Sequence, residues 1–220
     1  MLRNLSILLV LSVLGSNVHA AADDEDSIGP WDVIESPSVQ YTEPDTALSS
    51  AEAAMMILGE PTVDAETMWR FVNKVNPDFP IEIARAYIEV GRRYGIRGDI
   101  ALCQAVIETG WFRFADGTAV RPEQHNYCGL GVEKRGMTGC SFSSIEEGVT
   151  AQLQHLYAYA ADTPLPDGEK MVDPRFKLVK RGCAQSWHDL SGRWAMNDRY
   201  GIQILSLYQR LLESADGRQN

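Results

Sequence analysis

Apolar residues recur every three to four positions along most of the chain after residue 48, and this period predicts amphipathic helices. Residues that favour helix starts, such as Ser, Asp and Pro, precede these stretches, and glycine follows several of them. The predicted helices cover 49–58, 64–76, 80–95, 143–161, 173–182, 184–190 and 199–214. A further helix follows Asp99, which is its predicted N-cap.

Residues 115–142 interrupt this helical pattern because glycine and turn-forming residues are frequent there. Runs at 129–132 and 140–142 predict one short β-hairpin. The helices do not alternate with strands, as a parallel sheet would require, and the sequence shows no internal repeat. It therefore predicts a mostly α domain with at most a small β-element.

The first 20 residues have the features of a secretory signal peptide. Arg3 precedes an apolar run from Leu5 to Leu14, and Val18-His19-Ala20 is a small-x-small cleavage pattern. An uncut membrane anchor is the alternative, but the run is shorter than the roughly 20 residues that span a bilayer. We therefore expect cleavage near Ala20, no stable membrane insertion, and a mature protein that is secreted, periplasmic or extracellular.

Residues 21–48 are rich in Asp, Glu, Pro and Ser and contain no Lys or Arg. This composition predicts a disordered acidic leader or linker, which leaves residues 49–220 as the folded domain. Much of the formal net charge of −10 lies in this leader. No basic patch indicates binding to nucleic acid or to an anionic membrane surface.

All four cysteines follow the predicted signal peptide, and an oxidising compartment permits disulfides. Three pairings are possible. Cys128 and Cys140 flank a short glycine-rich segment and are expected to form one bridge. Cys103 and Cys183 form the second bridge, unless Cys103 is a buried free thiol.

Glu108 is the main candidate for catalysis. It shares a helix face with Gln104, one turn earlier, and it adjoins the small and aromatic residues at 110–112. Apolar surroundings disfavour a charged carboxylate and raise its pKa. A carboxyl that stays protonated near neutral pH can protonate the leaving oxygen of a glycosidic bond. The alternative is a solvated glutamate on the surface of a helix.

A partner for Glu108 is harder to identify. Glu133 lies in the predicted hairpin, and Asp198 lies near Tyr200. Glu146 and Glu147 lie in the first turn of a helix, where capping explains them. Tyr200 is either a group that orients a substrate or a packed aromatic residue.

Other chemistries lack their usual motifs. His125, His155 and His188 do not have the spacing of metal ligands, and there is no GxSxG, Walker or GxGxxG motif. No metal or organic cofactor is therefore expected. Aromatic residues are frequent around Glu108 and Tyr200, which suits a sugar-binding groove, although several could instead belong to the core.

Five motifs resemble, in order and spacing, the glucosaminidase domain of glycoside hydrolase family 73. They are "QAVIETGWF", "NYCGLGV", "SFSSIEEGVTAQLQHLYAYA", "DPRF" and "SWHDLSGRWAMNDRYGIQI". The resemblance covers residues 62–213, which is most of the predicted mature chain. The set is specific, whereas the Glu-Thr-Gly motif alone is not, because lytic transglycosylases carry a similar Glu-Ser-Gly motif.

The resemblance implies a lysozyme-like α+β fold with a small β-hairpin lobe. It also implies cleavage of the β-1,4 bond after N-acetylglucosamine in peptidoglycan. In this sequence Glu108 matches the catalytic acid, Tyr200 matches a tyrosine near the scissile sugar, and Asn126, Tyr127 and Gly129 match a loop that lines the cleft.

The sequence departs from longer members of the family after Gly131, where the hairpin is short. Glu133 is the candidate there for a second acid. A substrate-assisted route through the N-acetyl group would need no second carboxylate. We expect Gln104, Trp111 and Trp194 to contact the glycan as well.

The sequence thus predicts a secreted, monomeric endo-β-N-acetylglucosaminidase acting on peptidoglycan or another glycan that contains N-acetylglucosamine. A lytic transglycosylase or muramidase on the same fold is the enzymatic alternative. A non-catalytic glycan-binding protein is the alternative from another class.

Overall fold

The computed structural model describes residues 55–115, 118–132 and 137–217. The predicted signal peptide, the acidic leader, most of the first predicted helix and Glu133 lie outside these residues. In the part of the chain that is described, no helix is long and apolar enough to cross a membrane.

Most of the described chain is helical, as predicted. Asp64 and Ser144 act as the expected N-caps, accepting the backbone N–H groups of Thr67 at 2.8 Å and Glu147 at 3.1 Å. Gly95, with φ of +61°, ends the second helix as expected. The α-helices are α1 (Ala65–Asn73), α2 (Ile81–Tyr94), α3 (Gly98–Glu108), α4 (Ile145–Ala160) and α5 (Tyr200–Asp216).

Helix α3 occupies the centre of this arrangement. It packs against α1, α2 and α5, while α2 also packs against α1 and α4. Every residue of α3 from 98 to 106 is buried. A Cβ atom on Gly98 would lie 2.1 Å from the carbonyl oxygen of Tyr87, so only glycine permits this close approach of α3 to α2. Helix α3 therefore carries Glu108 outward from the core.

The start of α3 differs from the prediction. Arg97 is the N-cap residue, and Asp99 lies in the first turn. Asp99 is fully buried, accepts the backbone N–H of Thr62 at 2.7 Å, and pairs with the guanidinium of Arg97 through two contacts of 3.2 Å. The hydroxyl of Tyr208 on α5 lies 2.5 Å from Arg97. Asp99 and Arg97 together therefore join the segment at Thr62, the start of α3 and helix α5. Asp99 is not the N-cap of α3.

The predicted helices at 173–182 and 184–190 are wrong. Each segment forms only a short 3-10 turn, at Phe176–Leu178 and at His188–Leu190. Asp173 accepts the backbone N–H of Arg175 at 2.8 Å, and Asp189 accepts that of Ser186 at 2.9 Å. These side-chain bonds to the backbone compete with regular helix formation.

The predicted β-hairpin is not shown. Its central residues, 133–136, lie outside the described part of the chain. The described flanks hold no strand, because Asn126 bonds to both backbone groups of Leu130 at 2.9 Å and Gly129 and Gly131 adopt left-handed φ values of +67° and +83°. Isolated β-bridges in the described chain join Met56 to Ser186, Leu58 to Ile96, and Ser191 to Ala195.

The predicted disulfides are not formed, because all four cysteines are free thiols. Cys103 is fully buried in the core on α3, as the alternative prediction had it. Cys183 lies elsewhere, beside Tyr159 of α4. Cys128 and Cys140 are close enough to interact electrostatically, but hydrogen bonds from Asn126, rather than a disulfide, hold their loop together.

Candidate active site

Glu108 is the last residue of α3, and its side chain is half-buried. The helix ends there because Gly110, Trp111 and Phe112 all adopt left-handed φ values, between +55° and +64°. The hydroxyl of Thr109 accepts the backbone N–H of Phe112 at 2.8 Å and stabilises this turn. The abrupt turn leaves the Glu108 carboxyl at the edge of the core.

Tyr200 contacts Glu108 directly. Its hydroxyl donates a short hydrogen bond to Oε1 of Glu108. Tyr200 is the first residue of α5 and is only 3% exposed. The next residue, Gly201, packs so tightly that a Cβ atom would lie 2.3 Å from the carbonyl oxygen of Trp187. The start of α5 is therefore fixed, and it holds the hydroxyl against the carboxyl.

A chain of buried hydrogen bonds continues behind Tyr200. Gln104 Nε2 donates to the Tyr200 hydroxyl at 3.0 Å, and Gln152 Nε2 donates to Gln104 Oε1 at 2.9 Å. The hydroxyl of Tyr87 donates to Gln152 Oε1 at 2.6 Å. Because the Tyr200 oxygen accepts from an amide, its single proton is directed at Glu108. The network thus fixes the direction of the bond to the carboxyl.

Trp194 provides a second donor. Its indole group hydrogen-bonds to the Glu108 carboxyl, and its ring is half-buried. The same ring packs edge-on against His155, with centroids 5.0 Å apart, and lies 5.9 Å from the ring of Tyr159. Residues of α3, α4, α5 and the loop before α5 therefore converge at Glu108.

The loop at 126–130 borders the same carboxyl. Burial raises the pKa of the Cys128 thiol, and the nearby charge of Glu108 raises it further. Asn126 is fully buried and holds the loop together, as described above. Tyr127 is 2% exposed and packs against Tyr87 and Phe112. These two side chains are buried and support the loop, and their contact with a glycan stays a prediction. Gly129 is half-exposed at the tip of the turn.

Two other predicted glycan contacts have different surroundings. Gln104 is fully buried and reaches Glu108 only through Tyr200. Trp111 is half-buried; its ring lies 5.5 Å from the ring of Phe71 on α1, and the guanidinium of Arg210 on α5 lies 5.9 Å from its centroid. The contacts of Trp111 therefore lie with α1 and α5, and not with the residues around Glu108.

The environment of Glu108 changes its acidity. Burial raises the pKa of this carboxyl from its ordinary value of 4.5 to about 7, although the hydrogen bonds from Tyr200 and Trp194 act in the opposite direction. Desolvation thus outweighs two donors that favour the charged form. Near neutral pH the carboxyl is protonated in a large share of molecules, as general acid catalysis requires.

Three other described acids have structural partners. Asp173 is 1% exposed, and its carboxylate lies 2.7 Å from Nδ1 of His155. Glu146 forms an exposed ion pair with Arg93 at 2.7 Å. Glu147 accepts the backbone N–H of Ser143, which fits the predicted capping role. Asp198 is exposed. No cluster of possible metal ligands occurs among the described residues.

Comparisons with known proteins bear on the family of the chain. The family model for mannosyl-glycoprotein endo-β-N-acetylglucosaminidase, named Glucosaminidase, matches residues 84–215, which include Glu108 and Tyr200. The chain belongs to the glucosaminidase family. The chain is therefore a glycoside hydrolase, and its substrate is a glycan.

One relative and one solved structure are similar to this chain. An uncharacterized protein of Borreliella burgdorferi is 33% identical to it over 172 residues, which cover 76% of the chain and 82% of the relative. The catalytic domain of the autolysin Auto from Listeria monocytogenes is similar with a TM-score of 0.38 and 17% identity, over 67% of this chain and 87% of that chain.

Sequence reasoning missed part of the candidate site. Tyr87 and Gln152 complete the hydrogen-bond network, and Asp173 pairs with His155 beneath Trp194. One signal could have revealed Gln152. It lies between Ala151 and Leu153 in the helix predicted at 143–161, and a buried amide needs polar partners.

The raised pKa of Glu108 predicts a pH-dependent cost to stability. Because the folded-state pKa exceeds the ordinary value, stability from the neutral carboxyl is fully present below pH 4.5 and is lost as the pH rises through about 7. Glu108→Gln cannot ionise. We expect the variant to gain, relative to the wild type, on the order of 3 kcal/mol in the free energy of unfolding between pH 4 and pH 8. Denaturant unfolding at several pH values measures this difference, and parallel stability curves would contradict it.

Removing the Tyr200 hydroxyl is expected to raise the pKa of Glu108 and to lower the reaction rate. The hydrogen bond lowers the pKa of Glu108, so Tyr200→Phe should raise that pKa above its wild-type value of about 7. We also expect kcat to fall about tenfold, because the carboxylate formed after proton transfer loses one donor. Carbon-13 NMR of the Glu108 carboxyl measures the pKa, and an unchanged or lower value would rule out this role of Tyr200.

Proposed function

We propose that this chain is a peptidoglycan hydrolase that cleaves the β-1,4 bond after N-acetylglucosamine, with Glu108 as the general acid. The observation that carries the proposal is the half-buried Glu108 carboxyl, with its pKa of about 7, in contact with Tyr200 and Trp194. The family match supports the glycan class of the substrate.

The proposed reaction starts with protonated Glu108 giving its proton to the glycosidic oxygen. The bond between the anomeric carbon and that oxygen breaks, and the leaving sugar departs as an alcohol. Glu108 is then a carboxylate, and the hydrogen bonds from Tyr200 and Trp194 stabilise this charged form. The two donors thus favour the product of the proton transfer, while burial keeps the acid protonated beforehand.

Completion of the reaction requires attack at the anomeric carbon. Three candidates exist: Glu133, in the part of the chain that the structure does not describe, the exposed Asp198, and the N-acetyl oxygen of the substrate. The substrate-assisted route needs no second carboxylate, and the other described acids Asp173, Glu146 and Glu147 have structural partners.

The proposal places the reaction outside the cytoplasm. The signal-peptide pattern of residues 1–20 supports export of the mature chain. We propose that it acts as a monomer with a lysozyme-like catalytic domain. No cofactor is part of the proposed mechanism, because the acid, its donors, the attacking group described above and water suffice for hydrolysis.

Product analysis tests the bond specificity. Purified peptidoglycan is digested with the mature protein, reduced with borohydride and analysed by mass spectrometry. The proposal predicts reduced N-acetylglucosamine at the new chain ends. Reduced N-acetylmuramic acid would instead identify a muramidase, and anhydro ends would identify a lytic transglycosylase. Binding to peptidoglycan without release of any fragment would indicate a glycan-binding protein.

A further inference from the structure

A concave site lies behind Trp194, on the side of its ring that packs against His155. It is a cavity of about 410 Å³ between α4, the segment at 175–183 and the loop before α5. Its polar and ionisable lining consists of His155, Tyr159, Arg175, Lys180, Cys183 and Arg193.

The charge of this cavity is opposite to that of the whole chain. Arg175, Lys180 and Arg193 are positively charged at neutral pH, whereas the chain carries a formal net charge of −10. Two carboxylates lie nearby, and neither lines the cavity: Asp173 is 1% exposed and bonds to His155 at 2.7 Å, while Asp189, which interacts electrostatically with Arg193, accepts the backbone N–H of Ser186 at 2.9 Å. A concave surface with clustered Arg and Lys side chains favours anionic ligands, and guanidinium groups match carboxylates in geometry.

The cavity adjoins the candidate active site through one side chain. The Trp194 ring packs 5.0 Å from His155 and 5.9 Å from Tyr159, both of which line the cavity, and its indole group hydrogen-bonds to Glu108. Arg193, another lining residue, precedes Trp194 in the chain. A ligand that spans both sites would therefore place a sugar at Glu108 and an anionic substituent beyond Trp194.

We infer that the cavity bounded by His155, Arg175, Lys180 and Arg193 binds the acidic peptide stem of peptidoglycan. This inference rests on the proposed function. The stem branches from the muramic acid residue next to the cleaved N-acetylglucosamine, and it carries several carboxylates. Bound there, the stem selects glycan strands with peptides over bare strands and fixes the position of the strand relative to Glu108.

The first experiment compares two substrates. Glycan strands with intact stems and strands whose stems an amidase has removed are digested by the wild type and by the double variant Lys180→Glu/Arg193→Glu. We expect the wild type to have a kcat/KM about tenfold higher on strands with stems, and the double variant to lose this preference. A matched control, Lys74→Glu/Arg85→Glu, makes the same charge change at exposed residues outside the cavity lining and should keep the preference.

A binding experiment separates this inference from the proposed reaction. The inactive variant Glu108→Gln is titrated with the isolated stem peptide and, separately, with inorganic phosphate, and NMR follows residues of the cavity. Saturable peptide binding that disappears when Lys180→Glu/Arg193→Glu is added to the inactive variant supports the inference. The inference is overturned if the wild type has no preference for stems or if the peptide does not bind. Tighter binding of phosphate than of the peptide also overturns it, because a phosphate-bearing wall polymer would then be the ligand.

Discussion

Glu108→Gln will lower kcat on peptidoglycan by about 10²- to 10⁴-fold, the usual contribution of a general acid. Glutamine has the shape of the protonated acid and keeps an oxygen that can accept the Tyr200 hydrogen bond. It has no proton of suitable acidity to give to the leaving sugar. The loss should therefore appear in kcat, while the affinity for glycan changes little.

The leaving group provides the control for this prediction. A dinitrophenyl glycoside of a chitooligosaccharide releases a weakly basic phenolate that needs no protonation, so Glu108→Gln should hydrolyse it at a rate close to that of the wild type. Equal losses on both substrates would show that the substitution disturbs the site in some other way. Peptidoglycan hydrolysis within a few-fold of the wild-type rate would exclude Glu108 as the acid.

Arg97→Met will reduce the free energy of unfolding by about 3–5 kcal/mol, the typical effect of breaking a buried ion pair on one side. Asp99 is fully buried, and the guanidinium of Arg97 compensates its negative charge through two contacts of 3.2 Å. Arg97 also binds the hydroxyl of Thr62 at 2.9 Å and that of Tyr208 at 2.5 Å. Methionine fills similar space but leaves the buried carboxylate without its cation.

An exposed ion pair provides the matched control. Arg70 binds Glu66 one turn away on α1 at 2.9 Å, and both side chains are nearly half exposed, at 46% and 44%. Arg70→Met should cost only about 0–1 kcal/mol because water already screens that pair. Denaturant unfolding of both variants measures the contrast. Similar small losses in the two would show that the buried pair does not anchor the start of α3.

Local sequence signals were sufficient for the elements with strong caps. The Asp64 and Ser144 caps and the left-handed Gly95 lie where the pattern predicts, because each acts within four residues of its own position. Short-range chemistry fixes these features. The raised pKa of Glu108 was expected from its apolar neighbours in the chain, but the side chains that interact with the carboxyl, Tyr200 and Trp194, come from a distant segment.

Features that depend on distant residues could not be predicted in this way. Gln104 bonds to Gln152, 48 positions away, and this buried contact makes it a support for Tyr200. Asn126 donates to the backbone carbonyl of Cys140, 14 positions away, at 3.0 Å, and so joins the two flanks of the expected hairpin. Such outcomes follow from packing between segments, which periodicity along the chain does not report.

The pH dependence of kcat/KM on solubilised peptidoglycan strands tests the central claim most directly. If burial at the end of α3 makes Glu108 a general acid with a pKa of about 7, the rate constant will be high below that pH and fall tenfold per pH unit well above it. The same limb will be absent from the residual activity of Glu108→Gln. A fall of the wild-type kcat/KM that already begins at pH 4–5, where an ordinary glutamate titrates, would contradict the account. So would a fall near pH 7 that persists in the variant.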